Sequence, residues 1–173
     1  SRLKAAARIT GLAVERGRAE EELTRANAAT KAARNQLQAT LNALPDLLFE
    51  VDAEGRIFDY HTHRNNLLAA PPEALLGKRF ADVLPPSAAD ACQRAIDGAA
   101  LHGFSYGEIY RLNLPQGEHW FELSAAPLHA GDDSGQRFVM ISRDISERHA
   151  NALALEEMKK ALASSRDFLQ QLI

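Results

Sequence analysis

One set of positions in the first 44 residues recurs at alternating spacings of three and four: Ile9, Leu12, Arg16, Ala19, Leu23, Ala26, Thr30, Ala33, Leu37, Thr40 and Leu44. This is a heptad seam diluted by Arg16 and the two threonines, with Leu41 beside its C-terminal end. No proline interrupts residues 2–44, and only Gly11 and Gly17 interrupt a run of good helix formers. The pattern predicts one helix closed by Pro45. At 1.5 Å per residue it would be about 65 Å long, too long to pack against one small domain.

Residues 46–145 change period. Leu47–Asp52 is a short apolar run closed by Asp52-Ala53-Glu54-Gly55, and Arg56–His61 reads as the return strand of a hairpin. Short helical pieces follow, broken at Pro71-Pro72 and Pro85-Pro86, with Ser87 the expected N-cap of a helix running to about Leu101. Three longer strands are expected next. Phe104–Leu114 and His119–Leu128 flank the turn Pro115–Glu118, and Gln136–Arg143 follows the loop Ala130–Gly135. The order predicts an α+β fold: a five-stranded antiparallel sheet with helices on one face, flanked by long N- and C-terminal helices. Phe49, Val51, Ile57, Tyr106 and Tyr110 supply apolar strand material, as do Leu112, Trp120, Phe121, Phe138 and Met140. They are shared between a core face and an outer face, so something should pack outside, the long first helix or a second subunit.

The last stretch is helical again. Leu155, Met158, Leu162, Ser165, Leu169 and Leu172 form a cleaner seam, and Ser146 is the expected N-cap. The narrow, sustained stripe favours a coiled coil over a helix folded back on its own sheet. The chain thus divides into an N-terminal linker helix (1–44), a central domain (45–145) and a C-terminal coiled-coil helix (146–173).

Composition agrees with one domain plus extensions. The 173 residues are 46% hydrophobic and 25% charged, which predicts a buried core rather than disorder. The net charge of −3 is unevenly spread. Residues 1–44 hold 8 Lys/Arg and 4 Asp/Glu, residues 45–145 hold 8 and 15, and residues 146–173 hold 4 and 4. An acidic centre argues against nucleic-acid binding. No apolar run approaches the roughly 20 residues of a membrane span, so no membrane contact is expected. Cys92 is the only cysteine, which rules out an intrachain disulfide and fits a cytoplasmic location. Its expected place is a buried helix face rather than a reactive site.

Catalytic chemistry is not expected. His61 and His63 stand two apart, while His102, His119, His129 and His149 are scattered without zinc-ligand spacing. No nucleophile elbow, phosphate loop or kinase motif occurs. Asp132-Asp133 reads as a solvated turn. Asp144 has no partner carboxylate, and as an anion near a helix N-terminus it suits a structural role.

Three segments in order carry a family resemblance: Val51-Asp52-Ala53-Glu54-Gly55-Arg56-Ile57, Pro72-Glu73-Ala74-Leu75-Leu76-Gly77-Lys78, and Arg143-Asp144-Ile145-Ser146-Glu147-Arg148. Together they resemble the PAS family over roughly residues 38–150. Many bacterial members close on Asp-Ile-Thr followed by Glu-Arg at this junction, and Ser146 replaces the usual Thr. The resemblance implies a five-stranded sheet, a side pocket under short helices, and a sensing or dimerisation role. It makes Asp144, Ile145, Ser146, Arg148 and Arg56 the signal-relay candidates, with Arg148 or Arg56 as the partner of Asp144. Tyr110, Arg111 and Trp120 are the candidates to read a small ligand. Haem-binding members use a helical histidine beside the pocket. The expected long helix has none, and His102 is expected just past its end. The Asn-Cys-Arg-Phe sequence of the flavin light sensors is absent, and Cys92 lies in a different helix. No cofactor or metal is expected, and an unidentified small-molecule ligand is left open.

Ala5–Leu23 resembles the last helix of a GAF domain running into a linker. Arg34–Leu41 is similar to Arg166–Ile173 at an offset of 132, the spacing tandem domains would give. The chain therefore reads as a piece of a larger cytoplasmic bacterial receptor with flanking GAF-like and PAS or output domains. The output would be a cyclic-dinucleotide (GGDEF-type) enzyme or a histidine kinase. The expected partner is a second copy, paired in parallel through Leu37, Leu41, Leu44, Leu155, Met158, Leu162 and Leu169. The rival expectation is a structural dimerisation spacer that binds no ligand.

Overall fold

A computed structural model describes residues 2–128 and 135–173. The chain divides into two compact units, Ser1–Leu44 and Pro45–Ile173. The first is a single helix, α1 (Arg2–Ala43), with no buried residue. The seam threonines return their hydroxyls to their own helix, Thr30 to the Ala26 carbonyl (2.9 Å) and Thr40 to that of Gln36 (2.9 Å). That bond satisfies the hydroxyl locally, so these positions interrupt the stripe without breaking the helix.

The second unit begins with the hairpin β1 (Leu47–Asp52) and β2 (Ile57–His61). Its turn is held by Asp52, whose Oδ1 accepts the amides of Glu54 (3.1 Å) and Arg56 (2.8 Å). Gly55 takes a left-handed conformation there, with φ +75°. Next come a 3₁₀ turn (Asn65–Leu67), two one-turn helices, α2 (Pro72–Leu75) and α3 (Phe80–Val83), and the long α4 (Pro86–His102). The strands β3 (Ser105–Leu114), β4 (Gly117–Leu128) and β5 (Arg137–Asp144) complete the sheet, and α5 (Ser146–Gln171) leaves it. Strand order is β2-β1-β5-β4-β3 and every pairing is antiparallel.

The core follows from two periods. Phe121, Leu123 and Ala125 on β4, and Phe138, Met140 and Ser142 on β5, alternate onto one face. Against that face α4 lays Ala88, Ala91, Cys92, Ala95, Ile96 and Ala99, a stripe at helical spacing with small residues that allow close approach. On the opposite face Leu48, Ala126, Val139 and Ile141 are half-buried, and Phe58, Tyr106, Ile109 and Leu128 are exposed. Among the described residues no helix is long and apolar enough to cross a membrane.

Several local expectations need correction. Ser87 does not cap α4; the cap position is Pro85, Pro86 opens the helix, and no side chain bonds there. Proline's preset φ and missing N–H suit that first position without a hydroxyl cap. His102 is the last residue of α4 rather than the one after it, followed by left-handed Gly103. The β3–β4 turn is Pro115-Gln116 alone, and Gly117 already pairs with Leu114. The loop expected over Ala130–Gly135, with Asp132 and Asp133, lies outside the described residues except for Gly135, and His129 is also outside them.

Candidate functional site

Two features of the second unit can do chemistry or mechanics. The first is a cavity between the inner sheet face and the short helices. The sheet contributes Leu47 and Phe49 from β1, Tyr110 and Leu112 from β3, and Met140 and Ser142 from β5. Leu67, Leu68, Leu75 and Phe80 cover it, and Cys92 of α4 closes the floor. The space open to the centre of a water-sized molecule is about 20 Å³, room for one or two waters. Its polar atoms are few. Tyr110 Oη and Ser142 Oγ share a hydrogen bond of 2.8 Å, and both residues are buried, 8% and 1% exposed. Burial pushes the Tyr110 hydroxyl well above the ordinary phenol range. Burial also pushes the Cys92 thiol up to about 12. The thiol therefore stays protonated at neutral pH, and the cavity holds no charge and no thiolate nucleophile.

The second feature is the junction of β5 and α5. Asp144 Oδ1 accepts both the backbone N–H (3.0 Å) and the hydroxyl (2.6 Å) of Ser146. The Ser146 oxygen in turn accepts the N–H of Trp120 (2.9 Å), and the Trp120 carbonyl accepts the N–H of Ile145 (2.8 Å). Oδ2 of Asp144 faces Arg64 Nη2 and His119 Nδ1, each at 3.4 Å. Burial alone would raise the Asp144 pKa. The two bonds from Ser146, then His119 and Arg64, outweigh it and hold the carboxyl below its ordinary value. The first turn of α5 is further tied to β4 by His149 stacked on Trp120 (4.1 Å) and by Arg148 paired with Glu122 (3.2 Å).

These contacts redistribute the expected roles. Ser146 is not the N-cap. Ile145 holds that position without a side-chain bond, and the Asp144 carboxylate takes the capping work because it accepts from Ser146 two residues on. Neither Arg148 nor Arg56 pairs with Asp144. Arg148 is drawn to Glu122, and Arg56 is held in its own hairpin by the Gly77 carbonyl (2.7 Å) and Asp52 (3.9 Å). The partners of Asp144 are Arg64 and His119, neither of which the sequence pattern singled out. Tyr110 lines the cavity but Arg111 and Trp120 do not. Arg111 is exposed and pairs with Glu118 (3.3 Å), and Trp120 lies on the outer face under His149. Each sits next in sequence to an inward residue, Tyr110 and Phe121, and so points to the opposite side.

His102 is exposed and does not line the cavity. His61 and His63 approach edge to face, ring centroids 5.3 Å apart, and among the described residues no three metal-ligating side chains gather. Of the seam residues, Leu37, Leu44, Leu155, Met158, Leu162 and Leu169 are exposed and Leu41 is half-buried.

Comparison with known proteins adds the family. A family model described as the PAS fold matches residues 41–150. No curated protein sequence matches. Among solved structures, the PAS domain of a protein from Colwellia psychrerythraea is 19% identical with a TM-score of 0.53, covering 66% of this chain and 98% of that one. An RNA-binding Light-Oxygen-Voltage receptor is 16% identical with a TM-score of 0.54, covering 79% of this chain and 39% of that one. A sensory box sensor histidine kinase from Vibrio cholerae is 22% identical with a TM-score of 0.46, covering 70% and 98%. The first two likenesses, at these identities, speak to the fold.

Proposed function

The chain belongs to the PAS fold family of sensory domains, and on that premise we propose that it is a non-catalytic relay whose sheet reports the state of its cavity to the exit helix α5. The observation that carries the reading is the junction. Side chains of the first turn of α5 are bonded, paired or stacked with Trp120 and Glu122 of β4, and Asp144 holds the corner from β5. A change in strand position therefore changes where α5 starts. The flanking helices carry that change to domains in the parent protein, a GAF-like domain before α1 and a cyclic-dinucleotide enzyme or histidine kinase after α5, in the cytoplasm.

The relay works as a parallel homodimer. Leu155, Met158, Leu162 and Leu169 form an exposed apolar stripe on α5, Leu162 being 71% exposed, and a lone helix with such a stripe is unstable in water. Twofold pairing of identical stripes is the commonest way to bury them. Sedimentation velocity at micromolar concentration tests this. The wild type should sediment as a dimer, and Leu162→Glu and Leu37→Glu should each shift it toward monomer. A wild-type monomer, or a dimer unaffected by both substitutions, would refute it.

The small resting cavity favours one rival, a spacer that holds the dimer together and binds nothing. Native mass spectrometry of freshly isolated protein separates the two: a stoichiometric small molecule supports the sensor, and empty protein under every growth condition supports the spacer.

A further inference from the structure

Building on the reading of the cavity as the sensing site, we infer that its ligand is a small neutral molecule with one hydrogen-bond acceptor, a short ketone or aldehyde in kind, taken up by the Tyr110–Ser142 hydroxyl pair. Tyr110 and Ser142 each carry one O–H, and their mutual bond uses only one of them. No other acceptor is bonded to either hydroxyl among the described residues, and both are more than nine-tenths buried at the cavity wall. One buried donor is therefore left over, facing a space large enough for a few atoms. A buried donor without a partner is costly, so an occupant that brings an acceptor is favoured over one that does not.

The rest of the wall sets the class. Among the described residues it holds no charged side chain, and Cys92 is protonated, so an ion would be stripped of water with nothing to replace it. The leucines and phenylalanines that cover the space select a compact apolar body. The hydroxyl pair is also placed to report occupancy. Ser142 stands two residues before Asp144 on the same face of β5, and Asp144 holds the start of α5. An acceptor that draws on Ser142 thus pulls on the strand that ends in the junction.

Acetone, isobutene and acetate, planar molecules of nearly one shape, separate the terms. Each is titrated into the full 173-residue chain and followed by the Met140 and leucine methyl resonances. Acetone and isobutene are expected to enter and acetate to stay out. The double variant Tyr110→Phe with Ser142→Ala removes both hydroxyls at nearly constant shape, which leaves no orphan donor and should preserve the fold. It should weaken acetone about fivefold to tenfold while isobutene changes by less than about twofold. In the wild type, which needs no variant, the carbonyl carbon of bound acetone should shift downfield as a hydrogen-bonded carbonyl does. Acetone binding that ignores the double substitution, an unshifted carbonyl, or acetate binding as well as acetone overturns the ligand class while leaving the cavity a binding site. Exclusion of all three molecules overturns the class and the cavity-sensor reading together.

Discussion

Replacing Phe121 by alanine is expected to lower the folding stability of the PAS domain by about 3–5 kcal/mol. Phe121 is fully buried and stacks on Tyr110, ring centroids 5.2 Å apart, and more loosely on His119 at 6.3 Å. Its strand register places it opposite Tyr110 on β3 and opposite Asp144 on β5. One ring therefore packs against the cavity wall and against a residue that faces the junction. Truncation removes the transfer energy of the ring and leaves a hole that the sheet cannot readily close, because β4 and β5 are each pinned by ladders on both sides. Urea denaturation followed by tryptophan fluorescence measures the loss. A change below about 1 kcal/mol would mean that the sheet repacks and that Phe121 does not couple the two features.

Asp144→Ala is expected to cost about 2 kcal/mol at neutral pH, the scale of a lost helix cap plus buried charge-assisted bonds. The Asp144 side chain is only 13% exposed, so its partners are not freely resolvated when it is removed. The effect has a pH signature. Because the folded-state pKa is depressed, Asp144 contributes stability above its ordinary value of about 4. That contribution fades as pH falls through the lower folded value. The gap between wild type and Asp144→Ala should thus be widest near neutrality and close in acid, measured by denaturation at stepped pH. A gap that grows on acidification would contradict the assignment.

The sequence reveals the elements and not the cross-chain partners. Alternation of Phe138, Met140 and Ser142 marks one face of β5, and the stripe from Ala88 to Ala99 marks the buried side of α4. Both are local periods, which a strand or helix imposes on its own residues. The same parity places Ser142 in the inward set, where it is the polar interruption that meets Tyr110. By that parity Arg111 and Trp120 face away from the cavity, since each neighbours an inward residue. The junction was legible as a place, through Asp144-Ile145-Ser146, but not as a set of bonds. Arg64 reaches Asp144 from an irregular segment between β2 and the 3₁₀ turn, whose path no periodicity describes. His119 arrives through strand register, which is set by the assembled sheet.

Asp144 fastens the exit helix to the sheet. Native-state hydrogen exchange at the His149 amide, which donates to the Ile145 carbonyl in the first turn of α5 (2.8 Å), tests it most directly. In Asp144→Ala at neutral pH this amide should exchange about tenfold faster or more. The core-strand amides of Phe121 and Phe138 should stay far better protected than His149 in the same sample, falling by no more than the roughly 30-fold that a global loss of about 2 kcal/mol dictates. Equal protection of His149 in wild type and variant would show that the junction holds without its carboxylate, and the relay account would be wrong.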